Sequence, residues 1–165
     1  MDWETRWKAF LDTIAPEIKE LQDNVPVGAG FGQELAYSEK TTNHTSTNVT
    51  AYSIAGDAII TGLSIEVEGT DRPWDFEFYS LVRHSVAESM IGVCLIADGV
   101  AEGTIHSEES PSTTVNIACC FRKRMPPIAI GTSKTYQVAS YTPTAGTVTW
   151  AAAVANKMWM SAVGR

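Results

Sequence analysis

The chain has 165 residues and a formal net charge of −7. That length suits one compact domain with an appendage, and it suffices to bury most of the chain's apolar surface. The acidic balance argues against nucleic acid as a partner, because phosphate recognition needs clustered Lys and Arg, and the only dense basic run is Arg122, Lys123 and Arg124.

The first predicted element is helical and covers residues 2–25. Its opening, "MDWETRWKAF", carries acidic residues and no uninterrupted apolar stretch, so it does not read as a secretory signal. No segment is apolar enough to predict membrane insertion. Trp7, Leu11, Ile14, Ile18, Leu21 and Val25 recur at alternating intervals of four and three residues, which is an a/d seam. Trp3 and Phe10 widen the apolar face, and Pro16 interrupts the pattern, which reads either as one helix broken there or as two short helices with a bend, the second starting near Ala15. The seam reads either as a helix packed on its own domain or as one that meets its copies or docks on a partner. Three heptads are too few to carry assembly unaided. Residues 1–26 are therefore expected to form an attachment or oligomerisation segment. A Gly-rich linker over 27–33 follows, within "PVGAGFG".

From residue 34 to 165 the helical period is gone, and Thr, Ser, Val, Ile, Tyr and Trp alternate with frequent turn residues. The pattern predicts a mainly β domain, an antiparallel sandwich of the jelly-roll kind. Strands are expected over about 34–41, 47–52, 58–68, 74–80, 90–97, 103–106, 114–122, the two runs within 134–153, and 157–163. In "GLSIEVEG", Leu63, Ile65 and Val67 point one way; in "WDFEFY", Trp74, Phe76 and Phe78 face the core and Asp75, Glu77 and Tyr79 face out. "MIGVCLIA" is apolar on both faces and calls for a second cover, which another copy of the chain would supply. The consecutive Met158, Trp159 and Met160, and the small residues of "TWAAAVA", suggest the same. "KTYQVASYTPTAGTVTWAAA" reads as a hairpin around a Pro/Gly turn, and Asp98-Gly99 as a two-residue hairpin turn.

Chemistry is sparse. His44, His84 and His106 lie in separate segments; only "LVRHSVAES" groups Arg83, His84, Ser85 and Glu88, without the spacing of a known catalytic set. Glu66, Glu68, Asp75 and Glu77 are expected on neighbouring strands and on one side, as a solvated acidic face. Cys94, Cys119 and Cys120 form neither a disulfide framework nor a zinc motif and read as reduced, buried apolar fillers. The expectation is a chain with no enzymatic activity, no cofactor and no metal.

Five segments carry a family resemblance: "ELAYSEKTTNHTST", "IITGLSIEVEGTDRPWDFEFYS", "GVCLIADG", "KTYQVASYTPTAGTVTW" and a final strand near Met158. In this order, over residues 34–163, they resemble the C-terminal β-domain of tailed-bacteriophage virion proteins. These are minor tail proteins, fibres and head decorations, especially of phages of actinobacteria, whose domain resembles the trimeric jelly roll of the tumour necrosis factor and complement C1q type. The resemblance implies a homotrimer on the virion surface, assembled in the host cytoplasm and attached through its N-terminal segment to major capsid or tail proteins. Many relatives carry a long fibre shaft, whereas only residues 1–33 precede the domain here, which favours a compact decoration. The alternative is a receptor- or carbohydrate-binding tip for host adhesion, whose partner is a host cell-surface glycan.

Overall fold

The protein was analysed as a computed structural model, which describes residues 32–47 and 58–165. The expected helix, with its seam of Trp7, Leu11, Ile14, Ile18, Leu21 and Val25, lies outside the described residues, as does all but Thr47 of the strand predicted over 47–52.

The alternating pattern becomes ten strands: β1 (Glu34–Lys40), β2 (His44–Thr47), β3 (Ile59–Glu68), β4 (Trp74–His84), β5 (Ser89–Ala97), β6 (Val100–Ser110), β7 (Ile117–Met125), β8 (Ser133–Tyr141), β9 (Thr147–Ala151) and β10 (Met158–Gly164). They form two antiparallel sheets packed as a sandwich. The pairing reduces the ten strands to eight ribbons. β4 pairs with β7 along one edge; along the other it pairs first with β10, up to Tyr79↔Trp159, and then with β9, from Leu81↔Ala151. β9 and β10 are therefore two halves of one ribbon interrupted at residues 152–157. β1 and β2 are likewise halves of the next ribbon, interrupted at 41–43, because β1 pairs with β10 and β2 with β9. Numbered along the chain, the ribbons run 1-8-3-6 in the first sheet and 2-7-4-5 in the second (β3-β8-β5-β6), which is jelly-roll topology.

Side chains of alternate residues meet between the sheets. Leu63, Ile65 and Val67 of β3, Trp74, Phe76 and Phe78 of β4, Ile91, Val93 and Leu95 of β5, and Met158 and Met160 of β10 are all buried in one core. Trp74 meets Tyr136 of the opposite sheet edge-on, with centroids 5.1 Å apart. The Trp150 indole donates to Ser140 Oγ at 2.6 Å, and Ser140 bonds Ser46 at 2.9 Å, so the indole N–H needed by a buried Trp is satisfied across the sheets.

Three expectations change. "MIGVCLIA" is buried on both faces within the single chain: Cys94 and Ile96 are covered in a second cluster with Ala58 and Ala139, against which Ile59 and Tyr141 pack. Only Met90 remains half exposed, so this strand does not by itself require another copy. Met158 and Met160 are core residues, and Trp159 alone turns outward. The stretch from Lys134 to Ala153 is not a hairpin, because β8 belongs to the second sheet and β9 to the first. Its Pro/Gly turn is a crossover, and Tyr136, Val138, Val148 and Trp150 face the core. Asp98-Gly99 is the hairpin turn expected: Ala97 pairs with Val100, and both turn residues take positive φ (49° and 77°).

One end of the sandwich is closed by the 69–73 and 126–132 loops. Gly69 N–H donates to Thr132 O (2.8 Å) and Asp71 N–H to Ile128 O (3.0 Å). A Cβ at Gly69 would lie 1.9 Å from the Ala129 carbonyl oxygen, a backbone atom that cannot swing aside. Gly69→Ala is expected to destabilise the domain by about 3 kcal/mol, as overpacking does. Gly99→Ala meets no atom but keeps a positive φ, and is expected to cost about 1 kcal/mol. Urea unfolding midpoints of the two variants check this order.

Candidate functional site

The residues of β4 that do not face the core build the outer face of the first sheet. Across this face the antiparallel register aligns Tyr79 with Trp159 and Glu77 with Ser161, and Ser161 in turn with Tyr37. Tyr37, Trp159 and Tyr79 consequently form a row over three adjacent ribbons. Their rings are near-parallel: 28° and 6.4 Å between Tyr37 and Trp159, then 22° and 6.2 Å between Trp159 and Tyr79. Tyr37 is 46% exposed.

Polar groups edge the row. The Tyr37 hydroxyl donates to Glu39 (3.0 Å), and Lys157 Nζ donates to both oxygens of that carboxylate (2.7 and 2.9 Å). The Lys157 bond, and after it the Tyr37 bond, holds Glu39 below the ordinary carboxylate range; the Lys157 ammonium is raised in turn by Glu39. Partial burial, then the bond to Glu39, raises the Tyr37 hydroxyl. The Tyr79 hydroxyl donates to Asn156 Oδ1 at 3.2 Å. Asn156 belongs to the 152–157 interruption, where it exchanges both backbone bonds with Ala153. Neighbouring ribbons flank this segment on either side and the core lies beneath, so it leaves the sheet as a knuckle on the outer face, with Val154 81% exposed. Asn43 pins its base by accepting the Ala152 N–H at 2.9 Å.

Beside the row lies a buried carboxylate. Asp75 faces outward yet is only 1% exposed, because Arg122 and Arg165 close over it; each Nε donates to Oδ2 at 2.6 Å. Burial alone would raise its pKa, but the hydrogen bonds from Arg165 and Arg122 outweigh this and leave it lowered. Arg122 also lies 3.3 Å from Glu77, so this member of the basic run is an ion-pair partner.

The other sequence candidates do not converge here. Glu66 and Glu68 lie on the second sheet and Asp75 and Glu77 on the first, because the "GTDRP" segment crosses between sheets; the four acids face opposite sides of the sandwich. His84 is fully buried at the opposite end from Gly69. Its Nδ1 accepts the Val86 N–H (2.9 Å) and its Nε2 lies 3.5 Å from Thr142 Oγ1, so the ring braces a turn. Arg83 lies on the other face of β4, and Ser85 Oγ accepts the Thr147 N–H. Among the described residues no group of three or more His, Cys, Asp or Glu is placed to hold a metal ion, and no helix is long and apolar enough to cross a membrane. Cys94 and Cys119 are buried, and burial pushes their thiols up to about 11 and about 12; Cys120, expected to be buried, is exposed beside Tyr79. Tyr37 and Trp159 escaped the sequence reading, although the core alternation of Met158 and Met160 already turns Trp159 outward.

No family profile matches the chain, and no curated protein is similar to it in sequence. Similar solved structures include latent dimeric PorU of Porphyromonas gingivalis (10% identity, TM-score 0.39, covering 83% of this chain and 14% of that one). Others are the CBM22-1 and GH10 modules of Clostridium thermocellum endo-1,4-β-D-xylanase 10B (10%, 0.38, 82% and 29%) and infectious bursal disease virus, Gt strain (16%, 0.40, 83% and 38%). These likenesses are distant, and the chain spans no more than 38% of any of the three proteins.

Asp75 links folding to acid. With its folded pKa depressed, its contribution is complete above the unfolded value of about 3.9 and is lost as pH falls through the folded value. Asp75→Asn is expected to remove about 2 kcal/mol at neutral pH, the worth of charge-assisted hydrogen bonds, and to flatten the stability slope below about pH 4. Unfolding titrations at pH 7 and pH 3 measure both. For the thiols, Ellman's reagent at pH 8 is expected to label Cys120 alone in the native protein and all three cysteines after unfolding.

Proposed function

We propose that the chain is a non-enzymatic structural protein of a phage particle: a trimeric, surface-displayed decoration or minor tail or fibre protein held by its N-terminal segment. The observation that supports this reading is the placement of the five resembling segments. In chain order they fall on β1–β2, β3–β4, β5 with its Asp98-Gly99 turn, β8–β9 and β10 of one jelly roll, so the resemblance follows the ribbons and crossovers of the domain and not isolated turns. Such a domain resists unfolding through one core shared by both sheets and leaves its outer faces and loop ends for contacts. Its partners in this reading are itself and the major capsid or tail proteins.

Because residues 91–97 of β5, together with Met158 and Met160, bury their side chains within one chain, trimerisation in this reading rests on the seam of Trp7, Leu11, Ile14, Ile18, Leu21 and Val25, supported by contacts between β-domains. Light scattering of the full chain at micromolar concentration is expected to give three times the 17.9 kDa chain mass. Replacing Ile14 and Ile18 by Asp is expected to shift the mass toward monomer while the β circular dichroism persists. A monomeric wild type would remove the trimer from the reading, and particles whose cryo-electron density lacks the domain would remove the rest.

A further inference from the structure

The geometry points to the outer face of the first sheet as a binding site for a neutral oligosaccharide of pyranose sugars. Tyr37, Trp159 and Tyr79 are its floor, and Glu39, Lys157 and Asn156 are its hydrogen-bonding rim. This goes beyond display on a particle and does not depend on it.

Four observations carry the assignment. The first is the row itself: three near-parallel rings on adjacent ribbons, running across the strands at steps of 6.4 and 6.2 Å. Aromatic side chains left part-exposed in a contiguous group mark a binding surface, since monomers rarely leave such groups without a use. The second is the rim. Glu39 is fixed by Tyr37 and Lys157, and Asn156 by Tyr79, so acceptors and donors stand ready at the ring edges without being ordered anew on binding. A pyranose is matched to this arrangement: its C–H face is apolar, and its hydroxyls both donate and accept around the perimeter.

The third observation is charge. Glu39 is paired with Lys157, Asp75 with Arg122 and Arg165, and Glu77 with Arg122. The charges that border the row are thus closed on one another, while Arg83 and Arg124 share the outer face four residues along β4 from Tyr79 in either direction, so the row itself suits a neutral, polyhydroxylated ligand. The fourth is relief. The segment at 152–157 stands beside Tyr79, whose hydroxyl donates to Asn156, and carries the exposed Val154, so the row has a raised border on one side and the face is not a plane. The charged residues around the row also depart from the composition of a protein interface core, which is depleted in charge. Three rings offer room for more than one sugar, so an oligosaccharide is favoured over a monosaccharide.

The test is calorimetric titration of the full-length chain with cellohexaose, mannohexaose and N-acetylchitohexaose, with the matching monosaccharides and hexagalacturonate as comparisons. At least one neutral hexasaccharide is expected to bind about tenfold or more tightly than its monosaccharide and than hexagalacturonate. Tyr37→Ala, at an exposed position outside the core, is expected to weaken that binding about tenfold. Trp159→Ala is expected to abolish binding and Trp159→Phe to retain part of it, with unfolding midpoints confirming that each variant folds. The assignment is overturned if no neutral hexasaccharide binds, or if binding survives both alanine substitutions. It is also overturned if those substitutions lower the light-scattering mass without any sugar binding, which would give the face to a second copy.

Discussion

Everything on both sides of the first sheet depends on the register of β4. This strand has a partner along each edge, β7 on one and the β9–β10 ribbon on the other. Its alternate side chains do two different jobs: Trp74, Phe76 and Phe78 fill the core, while Asp75, Glu77 and Tyr79 shape the outer face. A slip of one residue would send three aromatics into solvent and two carboxylates into the core. The cost of burying those carboxylates without partners is large enough to exclude the slipped arrangement. The core and the candidate site are thus fixed by one choice of pairing.

The two sheets are tied by different means. Apolar contact fills most of the interior, and the Trp150–Ser140–Ser46 connection adds a directional link between the layers. Directional links of this kind favour one packing among several of similar apolar content. On the outer face polar pairing works otherwise. There Arg122 and Arg165 shield Asp75, and Lys157 steadies Glu39, leaving the aromatic row bordered by groups that are already oriented.

Strand existence and facing were legible in the sequence wherever alternation was clean, as in Leu63–Val67 and Trp74–Tyr79. Sheet membership was not. A Pro/Gly turn such as that between Tyr141 and Thr147 serves a hairpin and a crossover equally well, since local residues set the bend and distant partners set where the next strand docks. The same gap placed Glu66 and Glu68 beside Asp75 and Glu77, although they lie on opposite sides of the sandwich. Cys94 and Ile96 showed that β5 is buried twice, but not that the chain supplies both covers. The aromatic row was hidden because its three members are far apart in sequence and meet only through the β1–β10–β4 register. The helical seam, the clearest periodic signal in the chain, falls outside the described residues.

The interruption at 152–157 divides one ribbon into two independently registered halves. Each half holds its own place against β4, so the length of chain between them is not set by the pleat. A residue gained or lost inside β10 would reverse every side chain beyond it, whereas one gained at the knuckle tip alters only how far Val154 stands above the face. The wall beside Tyr79 is therefore the part of this surface whose height can drift between variants of the protein while the floor beneath it stays the same.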